Sequence, residues 1–99
     1  MLKAVVLYGH PESPDAFEKY YSETHIPIAL KIPHLDHIEL TIFSPGPDGS
    51  KPAFYRMAEL YFADSVLMGA AFSSPEGQAA TNDLQNFATG GVTFLSGTT

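Results

Sequence analysis

The sequence predicts a small α+β domain of strand–helix–strand–strand–helix–strand order, with one sheet face that needs a second copy of the chain to cover it. Three observations point there. Ninety-nine residues is the length of one domain. Along the chain the apolar pattern switches between strand-like alternation and helical spacing. One segment, Ala53–Phe62, is apolar on both faces of the strand it would form.

The elements follow in order. Leu2–Tyr8 (LKAVVLY) is rich in Val and Leu and ends at Gly9-His10-Pro11, a strand and its turn. Ser13-Pro14-Asp15 supplies a cap, a first-turn proline and an acid for the positive helix end. Phe17, Tyr20, Tyr21, Thr24 and Ile28 then share one side at helical spacing. Pro27 disfavours α geometry at Ile26, so the helix is expected to end or kink close to His25, with Ile28–Ile32 adding a turn before Pro33. His34–Phe43 reads as a strand, with Ile38, Leu40 and Ile42 alternating against His37, Glu39 and Thr41. Ser44–Pro52 is a Pro/Gly loop, and Ala53–Phe62 is the strongest strand. Asp64 or Ser65 can cap a short helix through Phe72, and Ser74-Pro75-Glu76 repeats the capping pattern. Ala80, Leu84, Phe87 and Ala88 make the next stripe, Gly90-Gly91 stops it, and Val92–Leu95 is the last strand.

This βαββαβ order is the split βαβ arrangement of ferredoxin-like domains, with an antiparallel four-stranded sheet. Two helices cover one face of such a sheet. In the third strand Phe54, Ala58, Leu60 and Phe62 mark one face, and Tyr55, Met57 and Tyr61 the other. A bare apolar face is rare on a soluble monomer, so a homodimer paired through the sheet face is expected.

Composition narrows the function classes. At 44% hydrophobic and 12% aromatic residues the chain can fill a core. Its net charge is −6, and the five basic residues, Lys3, Lys19, Lys31, Lys51 and Arg56, are scattered. That pattern suits neither a nucleic-acid backbone nor an anionic membrane surface. No apolar run approaches the roughly 20 residues of a membrane span. The apolar Met1–Tyr8 segment lacks a signal-peptide cleavage pattern. Without cysteine there is no disulfide or thiolate chemistry, and a cytoplasmic location is the expectation.

Several segments together resemble the EthD-like family. They are Tyr8-Gly9-His10-Pro11, Phe17-x-x-Tyr20-Tyr21 with Thr24-His25-Ile26-Pro27, and Lys31-Ile32-Pro33 in the first half. In the second half they are Ala58–Phe62, Ser74-Pro75-Glu76-Gly77, Asp83, Phe87-Ala88 and Gly90-Gly91-Val92-Thr93. The resemblance spans nearly the whole chain and implies a dimeric α+β barrel, in which two ferredoxin-like sheets pack face to face. EthD itself is associated with ethyl tert-butyl ether degradation beside a cytochrome P450 system. Relatives often carry the label reductase, an oxidoreductase name, and the wider superfamily includes cofactor-independent monooxygenases, isomerases and cyclases. In one place the chain departs from the family: His34 stands where Gly is usual, which bears on the local turn.

His25 is the candidate catalytic residue. It lies about 80° from Phe17 around the helix axis, at the border of the buried stripe, and histidine transfers protons near neutral pH. The family's pattern of His followed by a nearby Pro falls on His25 and Pro27. A position at a helix C-terminus would favour the protonated ring, which suits an acid or an anion contact as well as a base. The plainer role is a histidine that caps the helix end. Tyr8, Tyr20 and Tyr61 are candidate substrate-binding phenols, with Tyr21 beside them, and packing is the plainer role for each. Glu59, a carboxylate in an apolar strand, is the fourth candidate for substrate binding; alternatively it pairs with Arg56 or Lys3, or supports the dimer seam.

No metal site is expected, because His10, His34 and His37 lack convergent spacing. No cofactor is expected either. Gly90-Gly91 follows a helix instead of a strand, and no dinucleotide fingerprint or Gly-x-Ser-x-Gly elbow occurs. Two functions follow. One is a small dimeric catabolic or accessory enzyme that acts on a small apolar organic molecule by proton transfer, the reactivity residing in the substrate. The other is a module that binds a small ligand or supports an oxygenase without turnover.

Overall fold

A computed structural model describes residues 1–99. Strand β1 (Leu2–Tyr8) leads to helix α1 (Pro14–Tyr20), a π-helical turn (Tyr21–His25) and the short helix α2 (Ile26–Ala29). Strands β2 (His37–Ile42) and β3 (Arg56–Phe62) follow, then helices α3 (Ser65–Ser73) and α4 (Pro75–Asp83), a 3₁₀ turn (Leu84–Asn86) and β4 (Val92–Thr98). All neighbouring strands are antiparallel, in the order β2-β3-β1-β4. The fold is therefore the ferredoxin-like α+β arrangement expected from the element order.

Side-chain caps start the helices where the sequence signals them. Ser13 Oγ accepts from Ala16 N at 3.3 Å, Asp64 Oδ1 from Leu67 N at 2.9 Å, and Ser74 Oγ from Gly77 N at 3.0 Å. Between the two caps of the second half, α3 and α4 form separate helices broken at Ser74, where the backbone is extended.

Four boundaries differ from expectation, each for a local reason. Of the expected end or kink close to His25, the first helix shows a local break in α geometry and not an end. The Ile26 N–H bonds to Tyr21 O, a five-residue turn, and the chain remains helical through Ala29. The wider turn gives the ring of Pro27 room that a regular α-helix would deny it. Strand β2 starts at His37, because His34 turns the chain with φ +65°, the left-handed region. Strand β3 starts at Arg56, because Tyr55 folds onto α1: its hydroxyl donates to Glu18 Oε2 at 2.9 Å, and its ring meets Phe17 edge-on at 5.2 Å. Strand β4 runs past Leu95 to Thr98, since Ser96–Thr98 pair with Leu2–Ala4 in spite of having little apolar character.

The helices cover the face that carries Ala58, Leu60 and Phe62 of β3 and Tyr8 of β1. Phe17, Tyr21, Ala29, Ala71, Ala80, Leu84 and Phe87 complete that core from the helical side. At the end of β1 the backbone crosses the turn before β4 so closely that Gly9 N donates to Gly91 O at 2.9 Å. A Cβ at Gly9 would overlap the Gly90 carbonyl, so the Tyr8-Gly9 and Gly90-Gly91 pairs meet where only glycine fits. Alternation along the strands sends Val5, Leu7, Met57, Tyr61 and Leu95 to the opposite face, which no element of the chain covers. No helix is long and apolar enough to cross a membrane.

Candidate functional site

Between the helices and the sheet lies a cavity of about 460 Å³, a volume usual for small-molecule sites. Ala4, Val6 and Tyr8 of β1 and Ala58 and Leu60 of β3 form its floor; Tyr21, His25, Ala29, Ala80 and Leu84 face them from the helices. Phe94 of β4 also lines it and is more than half exposed, which brings the lining to the surface at β4. Sixteen of its 18 lining residues are hydrophobic, the exceptions being His25 and Thr81. The Thr81 hydroxyl donates to Gly77 O at 3.0 Å within its own helix. Apart from the phenols of Tyr8 and Tyr21, His25 is therefore the polar side chain that this wall offers.

The π-turn keeps His25 on the buried side with Tyr21 and turns Thr24 outward. In an unbroken α-helix Thr24 would share the buried side with Tyr21, but the extra residue in the turn leaves Thr24 exposed and His25 6% exposed. Its ring stacks on Tyr21, with centroids 5.7 Å apart, and lies 4.6 Å from the ring of Phe87. Nδ1 donates to Asp83 Oδ2 at 2.9 Å. Asp83, 7% exposed at the end of α4, also accepts from the Tyr20 hydroxyl at 2.6 Å and from Asn86 Nδ2 at 3.0 Å. Burial alone would push this carboxyl up; the three donors outweigh it and hold Asp83 below its ordinary value. A carboxylate on Nδ1 fixes the proton there and leaves Nε2 as the lone-pair atom. Burial lowers the His25 pKa from its ordinary value, and the Asp83 charge opposes this only in part. The chain stays helical beyond His25, so no helix-end dipole acts on it to favour the cation.

The candidates divide between the two faces. His25 and Tyr8 line the cavity, and Tyr8 is 1% exposed, its phenol pushed well above the ordinary value by burial. Tyr20 stands behind Asp83, stacked on Phe87 with centroids 5.3 Å apart. Glu59 and Tyr61 stand on the opposite face of the sheet. There Lys3 Nζ donates to Glu59 Oε2 at 2.7 Å, while the Tyr61 hydroxyl donates to Glu39 Oε2 at 3.1 Å and its ring stacks on His37. His10 meets the Pro52 carbonyl at 2.7 Å. Sequence reasoning did not single out Asp83 as chemistry, yet its signal was present: Ala80, Asp83, Leu84 and Phe87 share one helical stripe, and a carboxylate on an apolar stripe must be paired.

Fold and site thus define a ferredoxin-like domain with a buried His–Asp pair at an apolar cavity. Residues 9–91 match the EthD domain, and the chain belongs to that family. It is 41% identical, over 96% of its length and 91% of the relative's, to an uncharacterized 11.0 kDa protein of the thcB-thcC intergenic region of Rhodococcus erythropolis. An ethyl tert-butyl ether d (EthD) family protein from Bacillus halodurans superimposes with a TM-score of 0.93 at 34% identity, covering 100% of this chain and 98% of that one. A dimeric protein with a ferredoxin-like fold from Bacteroides fragilis shares the fold alone, with a TM-score of 0.68 at 16% identity over 99% and 95% of the two chains.

Proposed function

We propose that this EthD-family protein is a small dimeric enzyme that moves a proton on a small apolar organic molecule held in the cavity, without a bound cofactor. The observation that carries this is the His25–Asp83 pair, joined at 2.9 Å at the wall of an otherwise apolar cavity. Asp83 orients the ring and balances the cation that forms when Nε2 takes a proton, as a carboxylate partner does for histidine bases in general. Tyr20 and Asn86 hold Asp83 ionised and in place; they are positioning residues. Tyr8 is assigned to the ligand's surroundings. Such a site can deprotonate a carbon next to a carbonyl and return the proton elsewhere, the elementary step of isomerisation and cyclisation.

The active form in this proposal is a homodimer through the open sheet face. Only 15 of 99 residues are buried in the single chain, so a covering partner would add substantially to a thin core. The distant Bacteroides protein that shares the fold is described as dimeric. Glu59 and Tyr61, on that same face, belong in this proposal to the seam and not to the ligand.

Deuterium incorporation tests the chemistry. The protein is incubated in D₂O with a pool of neutral carbonyl metabolites, which are then weighed by mass spectrometry. Wild type is expected to label at least one compound at a rate that His25→Gln reduces by about 100-fold or more, the usual scale for a proton-transfer group. Labelling that persists in His25→Gln removes this residue from the mechanism. No labelling by wild type, together with retention of a pool component, favours a carrier.

A further inference from the structure

The two oxygens of Asp83 have different partners, and the division reaches into the cavity. Oδ1 accepts from the Tyr20 hydroxyl at 2.6 Å and from Asn86 Nδ2 at 3.0 Å, while Oδ2 accepts from His25 Nδ1 at 2.9 Å. Two donors on one oxygen pin the carboxylate, and the other oxygen then keeps the ring proton on Nδ1. The rings of Tyr21 and Phe87 pack against the imidazole and hold its orientation. Nε2 is thereby a lone-pair atom. It takes no hydrogen bond within the chain and, unlike the Tyr21 oxygen, it is not sealed off. No free side-chain donor stands beside it. The Thr81 hydroxyl is taken by Gly77 O, the Tyr21 hydroxyl is inaccessible, and the Tyr8 hydroxyl is directed at Tyr21. No Lys, Arg, Asp or Glu lines the space.

We propose that the cavity selects uncharged, largely apolar ligands that donate a hydrogen bond to His25 Nε2, such as an alcohol, phenol or enol, and that Tyr20 and Asn86 set this choice by holding Asp83 so as to fix the tautomer. The assignment rests on the cavity's being the ligand site, as proposed above, and it adds the substrate class. A hydroxyl that enters the cavity loses water and regains a bond at Nε2. A ketone or ether oxygen loses water and meets no donor. A charged group of either sign finds no counter-charge in the lining, at a larger desolvation cost.

The same geometry names the change that reverses the choice. In Asp83→Asn the amide oxygen is expected to stay with the two donors, Tyr20 and Asn86, so the amide nitrogen takes the place of Oδ2. It then donates to Nδ1, the ring proton moves to Nε2, and the cavity presents a donor where it had an acceptor.

Four probes, each titrated at pH 8 by protein NMR, test this: 1-phenylethanol with a donor, acetophenone with an acceptor only, ethylbenzene with neither, and benzoate with a charge. Wild type is expected to bind 1-phenylethanol about fivefold more tightly than acetophenone, one hydrogen bond's worth. Benzoate should bind at least about tenfold more weakly than the alcohol. Asp83→Asn should erase or reverse the preference for the alcohol, with ethylbenzene binding unchanged. Nitrogen-15 NMR of His25 reads the tautomer directly, with Nδ1–H expected in wild type and Nε2–H in the variant. The wild-type measurements stand even where the variant fails to fold. A wild-type proton on Nε2, equal binding of alcohol and ketone by wild type, or benzoate binding that matches the alcohol would overturn the proposal. So would an unchanged preference for the alcohol in folded Asp83→Asn. Deuterium exchange separates the two claims. Probe preferences without exchange by wild type remove the proton-transfer reading and leave the ligand class standing; exchange without the preferences does the converse.

Discussion

His25 and Asp83 share a buried hydrogen bond, so the protonation of each depends on the other. For His25 the folded value lies below the ordinary 6.5, chiefly through burial. In the window between the two values the unfolded chain holds the extra proton, so stability falls as pH is lowered from about 7 toward the folded value. Asp83 governs the acid end with the opposite kind of shift. Its folded value is depressed below 3.8, so its contribution is complete above that pH and is lost as pH drops through the folded value. For function, the base form of His25 is present at and somewhat below neutrality. A titration of the His25 ring proton by NMR is expected to give a midpoint below 6.5. Asp83→Asn should move it lower still, because the carboxylate is what raises it. A midpoint above 6.5 in wild type would mean that the charge on Asp83 outweighs burial, and His25 would then serve better as an acid.

At the scale of elements, the link from α2 to β2 carries the clearest mismatch between residue and backbone. His34 is exposed and holds φ +65°, where a residue with a Cβ is strained by about 1–2 kcal/mol. Gly has no such strain but loses more freedom on folding, by about 0.5–1 kcal/mol. His34→Gly is therefore expected to stabilise by about 0.5–1 kcal/mol, read as a higher urea midpoint with an unchanged slope; a lower midpoint would show that the imidazole makes up for the strain. This turn was legible as a departure from the family's usual Gly, because backbone conformation leaves a trace in residue choice. The caps at Ser13, Asp64 and Ser74 were legible for the same reason: each is a local bond between a side chain and a nearby N–H. The π-turn was not. A single added residue in a helical turn shifts which side chains are buried without altering composition, so the spacing of Tyr21 and Thr24 pointed inward while the fold chose Tyr21 and His25. The end of β4 was hidden too, since Ser96-Gly97-Thr98 joins the sheet through backbone pairing with β1 and not through apolar side chains. The His–Asp pair spans 58 positions in sequence, and only the packing of the first helix against α4 brings it together.

For the whole molecule, the two faces of the sheet divide the work. One face holds the helices, the cavity and the His–Asp pair; the other presents Val5, Leu7, Met57, Tyr61 and Leu95 without cover from the chain. Leu95 is 55% exposed, and at the centre of the face the Lys3–Glu59 ion pair stands among the apolar side chains, Glu59 in register with Val5. A second copy placed face to face would bury this centre and leave both cavities on the outer sides, so association and chemistry would be separable. Light scattering at micromolar concentration is expected to give twice the 10.7 kDa chain mass. Leu7→Asp tests the face itself: Leu7 pairs with Met57 of β3 and Thr93 of β4, and a carboxylate there would lose its water under a face-to-face partner, in a protein already at −6 per chain. The variant should become monomeric while its His25 ring resonance keeps the titration of wild type, because Leu7 points away from the cavity. A wild-type monomer at these concentrations, or a Leu7→Asp dimer, would move the interface elsewhere. Altered His25 titration in a folded Leu7→Asp monomer would instead show that the two faces are coupled, and that the partner helps to shape the site.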